Sequence, residues 1–230
     1  MEVFAGGVLG ILLGMRHACE PDHLAAISTL VADKPDARRG LLLGAFWGLG
    51  HTAALFAVAV ALTLLQVALP ARLADAFELC VAFMLLGLGT RAVARAAREG
   101  NAGPRELHAH GDERHTHESA RGHVHFGRWT LAGRPLLVGV VHGLAGSGAL
   151  TALALANLPG TALRLVYIAL FGAGSMLGMA LLSGVAGWPL ARIGRRPWAA
   201  RTLGCATGFL SMSLGIFWAG PLLGRLFFSR

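Results

Sequence analysis

Arg16-His17-Ala18-Cys19-Glu20-Pro21-Asp22-His23 lies inside an apolar stretch that runs from Val3 to Leu30. That stretch is long enough to cross a bilayer, which takes ~20 residues. A single charged side chain at mid-membrane costs ~2.5–3.5 kcal/mol on insertion scales, so a cluster of this kind persists only where it is used. Two imidazoles, two carboxyls and a thiol packed between His17 and His23 make the donor set of a divalent transition metal, and the nitrogen donors suit nickel, cobalt, zinc or copper. The stretch points to a metal ion handled within the membrane.

The composition around it fits that setting. With 55% hydrophobic and 14% charged residues and 32 glycines in 230, the chain reads as a polytopic membrane protein rather than a soluble domain. Apolar runs at about 3–30, 41–69, 75–94, 135–157, 161–190 and 202–223 each reach spanning length, so six transmembrane helices are expected. Met1-Glu2-Val3-Phe4 lacks the basic start of a cleaved signal peptide, and the first helix is expected to stay.

The net charge of +8 does not imply nucleic acid, because the basic residues fall between the apolar runs, where they act as topology signals. Fifteen of the 20 lie in the 1–2, 3–4 and 5–6 connections: Lys34, Arg38 and Arg39, then Arg91 to Arg134, then Arg192, Arg195, Arg196 and Arg201. The positive-inside rule then places both termini outside and the long 3–4 loop in the cytoplasm, with a bacterial inner membrane the expected location. Cys19, Cys80 and Cys205 are odd in number and lie in apolar segments, so no disulfide framework is expected, and Cys80 and Cys205 read as buried small hydrophobes.

An internal repeat organises the chain. Aligning His17 with His142 brings Trp47-Gly48-Leu49-Gly50-His51-Thr52 opposite Phe171-Gly172-Ala173-Gly174-Ser175-Met176, with spacings of 34 and 33 residues. Three spans per repeat force opposite insertion of the halves, which makes this an all-α membrane protein of two inverted three-helix repeats. The units are 1–98 (repeat 1), 99–134 (a His-rich loop expected to lack fixed structure) and 135–230 (repeat 2). Such architectures bind substrate near mid-membrane on interrupted helices, and both candidates look interrupted: Pro21 in the first span, Gly139, Gly143, Gly146 and Gly148 in the fourth. The site is expected between them.

At ~100° per residue, His17 and Asp22 point ~140° apart, so a straight helix cannot converge His17, Asp22 and His23. Pro21 removes a donor and clashes with the His17 carbonyl, so a kink or unwound turn is expected to do it. Glu20 and Cys19 are further candidate ligands, as are His51, flanked by glycines, and His142, the repeat partner of His17. The competing reading is a polar packing network with Arg16 paired to Glu20 or Asp22. In the loop, three His-x-His pairs, His108/His110, His115/His117 and His123/His125, can each chelate from an extended chain, which suits capture of metal on the cytoplasmic side.

At these residues the sequence resembles the nickel/cobalt transporter family (NiCoT), whose signature His-x4-Asp-His matches His17, Asp22 and His23. With Trp47-Gly48-Leu49-Gly50-His51-Thr52 and His142-Gly143-Leu144-Ala145-Gly146-Ser147 it is most similar to the compact six-helix branch labelled urease accessory protein UreH. The resemblance covers both halves and excludes the loop. It implies movement of Ni²⁺ or Co²⁺, with His17, Asp22 and His23 as the core motif and His51 and His142 in support. It also implies a metalloenzyme-maturation partner, urease. Where many members carry Asp-Ala the chain has Glu20-Pro21, and the acidic motif of the eight-helix members' later helix is replaced by Gly146-Ser147-Gly148.

The expected function is secondary transport with the metal as cargo and no cofactor; the partners are the ion, the lipid bilayer, a homodimer mate and, by resemblance, urease. Two other classes fit the sequence less well. Ala145-Gly146-Ser147-Gly148 is similar to the Gly-x-Ser-Gly of rhomboid intramembrane proteases, but no histidine follows His142 to serve as base, so an enzyme is not expected. A thiol-redox carrier would need Cys80 and Cys205, 125 residues apart, to act as a pair.

Overall fold

The computed structural model describes the backbone of residues 2–32, 36–101, 129–158, 160–193 and 196–228. Among these residues there are seven helices and no strand: α1 (Glu2–His17), α2 (Pro21–Ala32), α3 (Ala37–Leu65), α4 (Ala71–Asn101), α5 (Trp129–Asn157), α6 (Thr161–Ile193) and α7 (Pro197–Phe228). Segments of α3, α4, α6 and α7 are each long and apolar enough to cross a membrane. Leu65, Val185, Phe217 and Phe227 are each 70% or more exposed, so large apolar side chains face outward. Water would not tolerate such a surface; lipid does. The chain is an integral membrane protein. The three His-x-His pairs expected to capture metal, His108 and His110, His115 and His117, and His123 and His125, all lie outside the described residues.

The run expected as one span over 3–30 is two helices. Arg16 and His17 carbonyls accept the N–H groups of Cys19 (2.9 Å) and Glu20 (3.0 Å), closing tight turns that end α1. Pro21 then takes the first position of α2, where its missing N–H costs nothing and its fixed φ suits a helix start. Of the kink or unwound turn expected at Pro21, the turn forms, and Pro21 restarts the helix after it. The expected break in the fourth span is corrected: α5 runs unbroken through Gly139, Gly143, Gly146 and Gly148. Its glycines serve close approach.

There is no room for a Cβ on Gly139, which would overlap the Trp47 carbonyl, or on Gly14, which would overlap that of Phe171. Gly50 is likewise pressed on the Leu136 carbonyl and Gly174 on that of Ile11. Directions follow from pairs one turn apart: Ile11 meets Gly174 and Met15 meets Gly178, so α1 lies parallel to α6, and Trp47 meets Gly139 and His51 meets Gly143, so α3 lies parallel to α5. Gly48 against Met176 and Gly172 against Thr52 show that α3 and α6 run antiparallel, and the Thr52 hydroxyl donates to the Gly172 carbonyl at 2.8 Å. In the α4/α7 pair, also antiparallel, Gly89 and Gly208 face each other and Ser211 donates to the Leu85 carbonyl at 2.9 Å. Small residues and hydroxyl bridges are how helices associate where lipid offers no hydrophobic drive.

That register also disposes of a thiol pair. In the antiparallel α4/α7 contact Cys205 comes level with Ala92, about 12 residues or ~18 Å along the helix from Cys80. Nor are they buried, as expected from sequence: Cys80 is exposed and Cys205 partly so.

Candidate metal centre

The break between α1 and α2 turns the last residue of one helix and the first turn of the next toward the same point. His17 ends α1, while Asp22 and His23 occupy the start of α2. His51 comes from mid-α3 and His142 from mid-α5, where the glycine contacts hold the two helices together: Gly143 abuts the His51 backbone. Four imidazoles and one carboxylate thus converge from four helices.

The ring centres of His23 lie 4.6 Å from His17, 5.4 Å from His51 and 4.7 Å from His142, with His17 and His51 5.2 Å apart. His23 is the hub. Asp22 Oδ1 stands 3.1 Å from His23 Nδ1, and its Oδ2 3.4 Å from His142 Nε2. On the outer side, Glu20 Oε2 meets His17 Nδ1 at 3.1 Å. Asp22, His23, His51 and His142 are buried, at 6% exposure or less.

The buried nitrogens decide what the cluster can do. His17 Nε2, His23 Nε2 and both nitrogens of His51 make no hydrogen bond among the described residues. Burying such atoms without a partner is unfavourable by ~1–3 kcal/mol each. With Nδ1 of His17 and His23 held by carboxylates, each ring presents an Nε2 lone pair inward, the carboxylate–imidazole arrangement that orients metal-bound histidines. Two groups of three donors lie within 4.8 Å of one another: His17, His23 and His51, and Asp22, His23 and His142. Both contain His23, and their imidazole and carboxylate donors fit a first-row divalent ion.

Of the sequence candidates, His17, Asp22, His23, His51 and His142 come together. Glu20 touches only the outer edge through His17, and is 54% exposed. Cys19 stands apart, its thiol turned to the Met15 carbonyl at 3.7 Å. Arg16 is exposed, and the acids pair with histidines rather than with it. The loop candidates His108, His110, His115, His117, His123 and His125 fall outside the described residues, so the centre is built without them.

Sequence reasoning missed the aromatic wall. Trp47, buried, has its ring centre 5.3 Å from His23 and 5.4 Å from His142, and Phe171 lies 5.4 Å from His17. The signal was available: Trp47 precedes His51 by one helical turn. A cavity of about 340 Å³ leads from the cluster past Glu20, Glu78, Phe217, Trp218 and Pro221 to Arg225. Arg225 binds Asp75 at 2.9 Å and approaches Glu78 at 3.9 Å, so the mouth carries Glu20, Glu78 and a guanidinium that is paired with an acid beside it.

No solved structure matches the chain. It is 31% identical over 214 residues to the urease accessory protein UreH of Bacillus sp. (strain TB-90), covering 90% of this chain and 87% of that protein. Residues 3–191 match the NicO profile, described as high-affinity nickel-transport protein. The chain belongs to the NicO family of high-affinity nickel-transport proteins.

Proposed function

We propose that the chain is a secondary transporter that carries Ni²⁺, with Co²⁺ as a second substrate, through the centre built by His17, Asp22, His23, His51 and His142. The observation that carries this is the set of buried imidazole nitrogens left without hydrogen bonds around His23. An ion entering past Glu20 and Glu78 would meet His17, His23 and His51, then exchange partners around His23 for Asp22 and His142. Few protein ligands suit a site that must release its ion.

The finer architecture we read as two inverted three-helix repeats, with α1 and α2 together answering to α5, α3 to α6 and α4 to α7. Support comes from the matched contacts: Gly14 on Phe171 and Ser175 against Gly139 on Trp47 and His51, Gly174 on Ile11 against Gly50 on Leu136. Rocking of one repeat against the other would then expose the centre to each side in turn. The basic ends of the helices face the cytoplasm in a bacterial inner membrane, both termini lie outside, and the histidines from His108 to His125 gather metal on the inner side. The chain works as a carrier rather than an enzyme, with the metal as cargo. Delivery of nickel toward a metalloenzyme such as urease, and a homodimer, complete the proposal.

The test is flux into liposomes holding a metal-sensitive dye, with Ni²⁺, Co²⁺ and Zn²⁺ outside and a pH gradient in each direction. Saturable Ni²⁺ flux lost in Asp22→Asn supports the carrier; no flux for any metal, or full flux in the variant, rejects this site.

A further inference from the structure

At the end of the bundle opposite the mouth, four arginines surround one cavity of about 360 Å³: Arg39 of α3, Arg91 and Arg95 of α4, and Arg134 of α5. Thr29 adds a hydroxyl to the lining and, among the described residues lining it, none is acidic. The floor is apolar, made by Leu30, Leu43, Leu88, Leu137 and Val138. Leu88, Arg91 and Arg95 share one face of α4 at helical spacing, so the charge is aimed into the cavity by the helix itself.

The positive-inside rule accounts for arginines at this end of the helices, but it does not require them to converge. Arg39, Arg91 and Arg134, gathered around one concavity with an apolar floor, repel one another and give it a positive field. An anion relieves that repulsion. Guanidinium forks match phosphate oxygens in pairs, and an apolar floor beneath a basic rim suits a headgroup with its chains.

We propose that this cavity is a binding site for a phosphate-bearing anion, held by Arg39, Arg91 and Arg134 and separate from the metal centre. An anionic phospholipid headgroup or a soluble phosphate compound would supply the same chemistry. The site does not depend on the metal reading, since its residues take no part in it.

The experiment uses the full-length protein, stripped of lipid in neutral detergent, in two arms. In the first, phosphatidylglycerol or phosphatidylcholine is added back and retained lipid is counted by native mass spectrometry. In the second, inorganic phosphate or pyrophosphate is added without lipid and the melting temperature is followed. The variants are Arg91→Gln, Arg134→Gln and Arg39→Gln, so that one failing to fold leaves two, and the control is Arg98→Gln, an exposed arginine of the same helix outside the cavity. Selective retention of phosphatidylglycerol, weakened about five-fold by each cavity variant and less than two-fold by the control, identifies a lipid site. Stabilisation by phosphate or pyrophosphate with the same pattern identifies a soluble ligand. Failure of both, or equal weakening by Arg98→Gln, overturns the proposal and leaves these arginines as topology signals.

Discussion

Gly14 and Gly139 make like contacts, one pressed on the backbone of α6 and the other on that of α3, and the proposed repeat makes them equivalent, but the residues that follow them differ sharply. After Gly14 come His17, the turn, Asp22 and His23; after Gly139 come His142 and then a helix without interruption. The same split recurs one helix on, where His51 in α3 answers to Ser175 in α6, both fully buried, and Trp47 answers to Phe171. Backbone packing tolerates little change because glycine is needed wherever helices touch. Ligands are free to differ because the ion needs only one set. On the proposed repeat, the lesson is that symmetry belongs to the scaffold, and the first half supplies four of the five residues of the proposed centre.

The largest effect should come from the side that carries the acid. Asp22→Asn and His23→Ala are expected to lower Ni²⁺ affinity by about 100-fold or more and abolish flux, because each removes a donor or the group orienting one. Isothermal titration with Ni²⁺ on purified protein measures it; Ser175→Ala, on the second half, should stay within about two-fold. If both halves responded alike, the asymmetry would be gone.

Next is His51→Ser, which writes the second half's residue into the first. A loss of about 10–100-fold in affinity, with the fold retained, is expected from removal of one donor of three, read by the same titration. A protein unable to fold would show instead that His51 is a packing residue.

Scaffold symmetry is tested by Gly14→Leu and Gly139→Leu. Each forces a side chain into a neighbouring carbonyl, and each should destabilise by ~1–3 kcal/mol or more, to a similar extent, in thermal melts in detergent. A large effect at one and none at the other would break the equivalence.

Acidification should weaken binding as imidazoles take up protons, since only neutral imidazole ligates. Ni²⁺ affinity that rose on acidification would remove the imidazoles from the centre. Smallest of all, Cys19→Ser should change flux by less than about two-fold, because its thiol turns back to Met15.

Much of this was legible in the sequence. The polar cluster within an apolar run singled out His17, Asp22 and His23, which the fold brings together, and the spacing of His17 to His51 and His142 to Ser175 suggested the repeat proposed above. What sequence could not settle was where the backbone breaks: a break precedes Pro21, yet α5 runs through its glycines and Pro135, Pro189 and Pro221 lie inside α5, α6 and α7. The opposing ends of α4 and α7 were also beyond it. Antiparallel register, unlike a fixed sequence offset, separates Cys80 from Cys205, and the pairing of Arg225 with Asp75 depends on residues far apart in the chain.

The placement of Asp22 bears on the unloaded protein. Its carboxylate sits in the first turn of α2, where the positive end of the helix dipole and free N–H groups face it, and two imidazoles stand within 3.4 Å. The carboxylate therefore has partners even when no ion is present. A carrier that alternates between two faces must make the return stroke empty, and a bare carboxylate would hold it back. For the proposed carrier, an empty return would then leave no bare carboxylate, because His23 and His142 stay with Asp22 whether or not an ion is aboard.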